Sequence, residues 1–454
     1  MDNGRELVAK IPLPHGSLIC ASQVATMDFA RSVLKIPTPK VLTWNSRLTD
    51  NPIGAELILM EKLPGVQLSV DWAKLDMARI LRLCKQLATL QSSMLSKTFK
   101  NIGAIYYADD LNATSAAPMV YTDEQGKELC DPRFVVGPVI DQTWMLNGRC
   151  KLERDRGPWC STLDYLKAIV ARELEAIRTA PDLPTSFELL RGPRTYKPTV
   201  QKKHQDSEMY LHLVEHIIPK ESSPLAAFRF WNNHIGFDSV FVEPDHPSKL
   251  VGLTGWGQAQ IAPLFKHSVW PEFSGWDAIM DLVDGDDEEE YQAMKTGTTW
   301  DWFVRGHATS KKLLLLHDTL DAYNTKRYQE STAGLVVNGA DRLFDHAQGH
   351  MVWSMYTLLE RWKKPIPYVH RERKTLPPLK LTRRRKRNIR RDLVRWASGC
   401  DNLECVFNRL KRPWCSDGAT YHNGFTKAKK KLRRLKKKFV GNGVAYEERW
   451  PFDD

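Results

Sequence analysis

The stretch from Phe228 to Phe265, FRFWNNHIGFDSVFVEPDHPSKLVGLTGWGQAQIAPLF, constrains this chain more than any other. Two short apolar runs, Ser239 to Val242 and Leu250 to Leu253, flank a polar segment containing Pro244, Asp245, His246 and Pro247. Strand, turn chemistry and strand in that order predict a β-hairpin. The chain around it is well supplied with core: 42% of its 454 residues are hydrophobic, with 15 Trp and 16 Phe, so wholesale disorder is excluded. That length holds two or three domains, or one bilobal unit with an extension.

The layout of this segment resembles the catalytic core of the aminoglycoside phosphotransferase-like family, a branch of the protein-kinase-like fold. It looks most like the fungal branch named for altered inheritance of mitochondria. In that family the segment before the hairpin reads roughly H-x-D-x-H-x-G-N and the second strand ends in D-W-Q. Laid on this chain, the family's His falls on Asn232 and its catalytic Asp on His234. The metal-binding Asn falls on Ser239, and the metal-binding Asp on Gly255, beside Trp256. Phosphoryl transfer needs a carboxylate to receive the hydroxyl proton and hard oxygen ligands for magnesium. An imidazole at 234 is a poor magnesium ligand, a lone hydroxyl at 239 binds it weakly, and Gly255 has no side chain. The expectation is a degenerate site with neither catalytic nor metal residues intact.

Upstream, Glu6 to Ile11 carries a short strand pattern with one lysine, Lys10. The resemblance places it among the nucleotide phosphates; the residues alone also allow a lysine at a strand end pointing to water. Ala21 to Val33 has apolar residues at Val24, Met27, Phe29, Ala30 and Val33, close to helical spacing. The family's ion-pairing Glu of this helix corresponds to Gln23, which would hydrogen-bond Lys10 without neutralising it. Ile36 to Pro39 ends the helix, because proline and its predecessor resist αR geometry. Val41 to Trp44 and Glu56 to Met60 read as strands. The run LILMEKLPGVQLS resembles the family's hinge, which makes Met60, Glu61 and Leu63 the adenine-facing positions, with recognition through backbone amides. The family has two strands and a phosphate-covering turn before Lys10, and this chain starts too late to contain them.

Ile80, Leu83, Leu87, Leu90 and Met94 give one apolar helical face between Asp76 and Leu95. Ile102 to Cys160 reads as loop-rich with several short strands and resembles a family insertion ending in D-R-G-P-W, here Asp155 to Trp159. Leu163 to Thr179, Tyr210 to Ile217, Leu313 to Arg327 and Met351 to Trp362 show helical periodicity. The closing W-P-F-D-D, Trp450 to Asp454, is also similar to the family.

Charge is unevenly spread. Arg371 to Lys438 holds 24 Lys or Arg against five acids, whereas the remainder carries 42 basic and 49 acidic residues. Within the basic region, 383–391 and 427–438 are dense runs, for which nuclear import, nucleic-acid contact, an anionic membrane surface or a solvated helix face are the readings. In the second run Phe425, Leu432, Leu435 and Phe439 favour a packed helix with a solvated basic face. Cys400, Cys405, Cys415 and His422 form a loose C-x4-C-x9-C-x6-H set that fits no common zinc finger. The acidic run Asp281 to Glu290 fails the EF-hand template. No apolar run approaches a membrane span, and scattered cysteines without a secretory leader favour reduced thiols. Serine-nucleophile, Walker-type and H-E-x-x-H motifs are absent.

The expected architecture is therefore α+β and protein-kinase-like: a partial N-terminal lobe and hinge over 1–64, a larger lobe over 65–290 with an insertion at 102–160, and a helical extension over 291–454. The leading function is a catalytically impaired, pseudokinase-like protein acting by binding. Two alternatives stand beside it: an active ATP-dependent phosphotransferase using displaced residues such as His234 and Asp238, and a basic-tailed nucleic-acid or membrane-surface adaptor. The resemblance implies ATP and Mg2+ as cofactors and mitochondrial residence. The start, MDNGRELVAKIP, offers no targeting signal, and leaves a cytoplasmic or nuclear location as the alternative.

Overall fold

The computed structural model describes residues 6–12, 18–46, 53–72, 75–180, 182–183, 188–267, 320–346, 348–366, 369, 376–410 and 425–452. Its architecture is α+β, with antiparallel sheets. The chain divides into two compact units. The first takes the described residues through Ala168, from Pro219 to His267 and from Leu320 to Tyr328; the second takes Ile169 to Ile218 and those from Gln329 onward. Strand pairing in the first unit joins segments far apart in sequence.

In the first unit, β1 (Leu7–Lys10), β2 (Val41–Asn45) and β3 (Leu57–Glu61) form an antiparallel sheet in the order β1-β3-β2. Helix α1 (Ile19–Ser32) connects β1 to β2. It is buried on nearly every side, the polar Ser22, Gln23 and Thr26 included. Leu18 offers no side-chain cap, and the carboxylate of Glu56 takes its place by accepting the Cys20 N–H at 2.8 Å. A carboxylate there satisfies an orphan donor and meets the positive end of the helix dipole.

What covers α1 is the segment read from sequence as a loop-rich insertion. It forms β6 (Ala104–Tyr107), β7 (Ala117–Thr122) and the ten-residue β8 (Glu128–Gly137). With β5 (Thr98–Phe99), β9 (Phe228–Asn232) and β12 (Ala259–Pro263) these build a six-stranded antiparallel sheet, ordered β12-β9-β5-β7-β8-β6. The alternation Met119, Tyr121 and Phe134, Val136 buries apolar side chains, and Tyr121 and Phe134 meet α1. Phe29 of α1 is the centre of that contact, with ring centroids of Phe99, Tyr121, Phe134 and Phe230 at 5.6–6.2 Å. The several short strands expected in 102–160 are present, and they join one sheet whose ten-residue strand β8 is longer than expected and carries Pro132.

The predicted hairpin is present. β10 (Val240–Val242) pairs with β11 (Leu250–Leu253), and β4 (Val66–Gln67) joins them on the other side of β10. The Asp76-led helix also forms: α2 (Met77–Leu95) starts where the Asp76 carboxylate accepts the Arg79 N–H, and it buries Ile80, Leu83, Leu87 and Met94.

The described regular structure of the second unit is helical: the end of α3 (Thr162–Thr179), α4 (Val200–Leu213), α6 (Thr332–Gly339), α7 (Gly349–Glu360), α8 (Arg383–Leu410) and α9 (Phe425–Gly441). Helix α5 (Leu320–Gln329) precedes α6; residues 313–319 of the helix expected there lie outside the described residues. Lys203 on α4 is buried and donates to the carbonyls of Leu343, Phe344 and His346. Arg172 and Glu173, also buried, bond each other at 2.9 Å and tie down the same turn through Asp341 O and Phe344 N. No helix among the described residues is long and apolar enough to cross a membrane.

Candidate functional site

Lys10 closes β1 opposite Ile58 of β3, at the edge facing α1. Its ammonium does not point to water: Nζ donates to Oε1 of Gln23 at 2.9 Å. Gln23 is 3% exposed. An amide oxygen accepts the hydrogen bond and leaves the charge uncancelled, so burial holds the Lys10 pKa below the usual lysine range. Cys20, one turn earlier on α1, is pushed up to about 12 by burial and by the Glu56 carboxylate, which keeps it a thiol. Facing this pair is Gly257. A Cβ built there would stand 3.5 Å from Gln23 Oε1 and 3.9 Å from Lys10 Nζ.

Two residues earlier, on the same tight turn (Trp256–Gln258 and its N-cap), Gly255 meets the positions aligned with the family's base and metal ligand. Its φ of +75° lies in the left-handed region, which glycine adopts without steric cost. A Cβ at Gly255 would sit 3.1 Å from His234 Cδ2 and 3.2 Å from Ser239 Cβ. Asn232, at the end of β9 and opposite Ala259 of β12, accepts the His234 N–H through Oδ1 at 3.0 Å. Its Nδ2 is buried and makes no hydrogen bond among the described residues. Trp256 anchors the turn by stacking on Phe230 and donating Nε1–H to Leu253 O.

The structure therefore brings Asn232, His234, Ser239 and Gly255 together, and sets Lys10 and Gln23 beside the same turn. The chemistry that they supply is poor in oxygen ligands. Ser239 Oγ is occupied at both ends, accepting from Gly236 N at 2.8 Å and donating to Gly236 O at 3.1 Å. His234 is exposed. Asp238, also exposed, lends its backbone carbonyl to Gln67. Among the described residues no group of three or more His, Cys, Asp or Glu side chains is placed to hold a metal ion.

Of the hinge positions, Met60 is 8% exposed and Glu61 spends its N–H on Lys40 O at 2.9 Å. Leu63 lies over β11, where its methyl groups come within 3.1–3.3 Å of a Cβ built at Gly252. Sequence reasoning missed Glu56, Cys20 and Gly257. The signal for Gly257 was in the motif itself, since it stands where D-W-Q ends in Gln; Glu56 and Cys20 left no local signal.

Cys400 donates to Glu188 O, and Cys415 and His422 lie outside the described residues, as does the acidic run Asp281 to Glu290. Every cysteine among the described residues is a free thiol, as expected.

No family model matches the chain. Curated relatives do. It is 28% identical over 309 residues to a subtelomeric hrmA-associated cluster protein of Aspergillus fumigatus, covering 61% of this chain and 57% of that protein. It is 29% identical over 187 residues to altered inheritance of mitochondria protein 9, mitochondrial, of Yarrowia lipolytica, covering 38% and 32%. The protein of that name in Clavispora lusitaniae is 28% identical over 191 residues, covering 39% and 31%. The chain thus spans little more than half the length of the first of these relatives and about a third of the others. The relationship to the fungal branch expected from Phe228–Phe265 is present at this level. The relatives' names also agree with the mitochondrial residence that the resemblance implied.

Proposed function

We propose that this chain is a catalytically impaired phosphotransferase-like protein with a protein-kinase-like bilobal fold, which acts by binding rather than by turnover. One observation carries the reading. The positions that would hold base, metal and phosphate converge around the turn at Gly255 and Gly257, and the side chains there are an imidazole, a committed hydroxyl, an amide and two glycines. Phosphoryl transfer relies on carboxylates and magnesium to offset charge on the transferring group. Lys10 is the cationic remnant of such a site, held by an amide where an acid would balance it. The relatives' names support mitochondrial residence for this chain.

The test is thermal unfolding of the purified chain with millimolar ATP, with and without magnesium. A nucleotide that binds only the folded state raises the melting temperature by mass action. The expected result is no magnesium-dependent rise. A clear rise that chelation removes would overturn the reading and favour an active phosphotransferase.

A further inference from the structure

The two basic runs have different fates in the fold. In α8, Arg385 pairs with Asp206 at 2.6 Å, Lys386 with Glu360 at 2.6 Å, and Arg390 donates to the hydroxyl of Tyr356. Three of that run's seven Lys or Arg are thus held by contacts with distant segments. Helix α9 holds nine Lys or Arg in 17 residues and no acid; among them Lys431 donates to Leu410 O at 3.0 Å and Lys436 lies 3.8 Å from Glu447. Ala428, Leu432, Leu435 and Phe439 form its apolar stripe, and the last three pack on Leu403, Val406 and Leu410 of α8.

Lys430, Arg433, Arg434 and Lys437 are exposed and make no ion pair among the described residues. Their i, i+3, i+4, i+7 spacing puts them on one face over two turns, about 10 Å along the axis. With Lys436, Val440, Gly441 and Glu447 they line a recess of about 680 Å³. Like charges at these spacings weaken a helix, so the fold holds a repulsion that a polyanion would relieve.

We propose that this recess on α9 binds the phosphate backbone of a nucleic-acid duplex, independently of the site at Gly255. A helix that binds membranes inserts its apolar face among the lipids, and here that face is already spent on α8. A bilayer is flat, whereas a recess walled by cations receives a rod-like phosphate chain. Single strands are gripped by stacking on aromatic platforms. Phe439 is buried, and the ring of neighbouring Tyr446 is covered by Lys197, so among the described side chains these two rings leave α9 with phosphate contacts rather than base stacking.

The experiment is fluorescence anisotropy of the full chain with labelled mixed-sequence DNA and RNA duplexes of about 20 base pairs across a salt series. Four phosphate contacts give a log–log salt slope of about −3 to −4. The combined Lys430→Gln, Arg433→Gln, Arg434→Gln and Lys437→Gln variant is expected to bind at least about 30-fold more weakly at 0.1 M salt with most of the slope gone. Its melting temperature should not fall, since only like-charge repulsion has been removed. Glu447→Gln removes the acid at the recess edge, 3.8 Å from Lys436, and should tighten binding about two- to five-fold. Unchanged duplex affinity in the folded quadruple variant overturns the proposal, as does vesicle binding as strong as duplex binding with mixed phosphatidylcholine and phosphatidylserine. If the quadruple variant fails to fold, Glu447→Gln decides alone, and unchanged affinity there also overturns it.

Discussion

Rebuilding the missing chemistry tests the functional reading directly. The perturbation is the combined His234→Asp, Ser239→Asn and Gly255→Asp substitution. Its cost can be worked from the geometry. At φ +75° an L residue at 255 costs about 1–2 kcal/mol, with Asp at the low end. The 3.1 Å approach of its Cβ to the His234 ring disappears when 234 is shortened, whereas the 3.2 Å approach to the 239 Cβ stays and asks a small backbone shift. Losing the two Ser239 hydroxyl bonds to Gly236 costs about 1 kcal/mol each. The variant should therefore be about 3 kcal/mol less stable than the parent, and still folded by circular dichroism. Its gain is a pair of carboxylates and an amide oxygen converging where the parent offers magnesium nothing. A dissociation constant of about 1 mM would give about 1.4 kcal/mol of stabilisation at about 10 mM magnesium, a melting rise of about 3–6 °C. Titration calorimetry with magnesium should show heat in the triple variant and none in the parent or in any single substitution, since base and metal ligands act as a unit. Turnover is not expected while Gln23 holds Lys10. A folded triple variant that gains no magnesium affinity would mean that these positions do not form one metal site, and the phosphotransferase-like reading would lose its support.

Two further outcomes follow from the first unit's core. His267 is fully buried with Nε2 2.8 Å from Arg229 O, and burial pulls its pKa from 6.5 down to about 4. The unfolded chain therefore takes up a proton at this group before the folded one does, and stability falls as pH drops from 6.5 to 4, by up to about 3 kcal/mol. Urea unfolding at several pH values should show that loss in the parent and a shallower one in His267→Phe; parallel acid limbs would refute the assignment. Phe29→Ala should cost about 3–5 kcal/mol, because four aromatic neighbours held by sheet and helix cannot collapse into the space left. A loss below 1 kcal/mol in chemical denaturation would mean that α1 is not clamped by the six-stranded sheet.

Local pattern was enough for the elements whose signals are short-range. The hairpin of β10 and β11 was legible because turn chemistry lies between two apolar runs, and α2 because Asp76 caps an unbroken stripe. The identities of Asn232, His234, Ser239 and Gly255 were legible too, since a position without a carboxylate lacks one in any fold. Their convergence was not, because it depends on a left-handed turn at Gly255 and on strands β9 and β12 pairing 27 residues apart at Asn232 and Ala259. Glu56 left no local trace as the cap of α1, as it reaches Cys20 across 36 residues. The 102–160 segment read as loop-rich with only short strands because Pro132 and interrupted runs hide a period of two; only burial against Phe29 reveals which side of each strand is core. The two basic runs make the contrast sharpest. Their compositions are nearly the same, so sequence could assign both only to charge. Tertiary packing separated them, because Asp206, Glu360 and Tyr356 come to α8 from distant segments, whereas α9 packs Leu432, Leu435 and Phe439 on α8 and leaves Lys430, Arg433, Arg434 and Lys437 exposed.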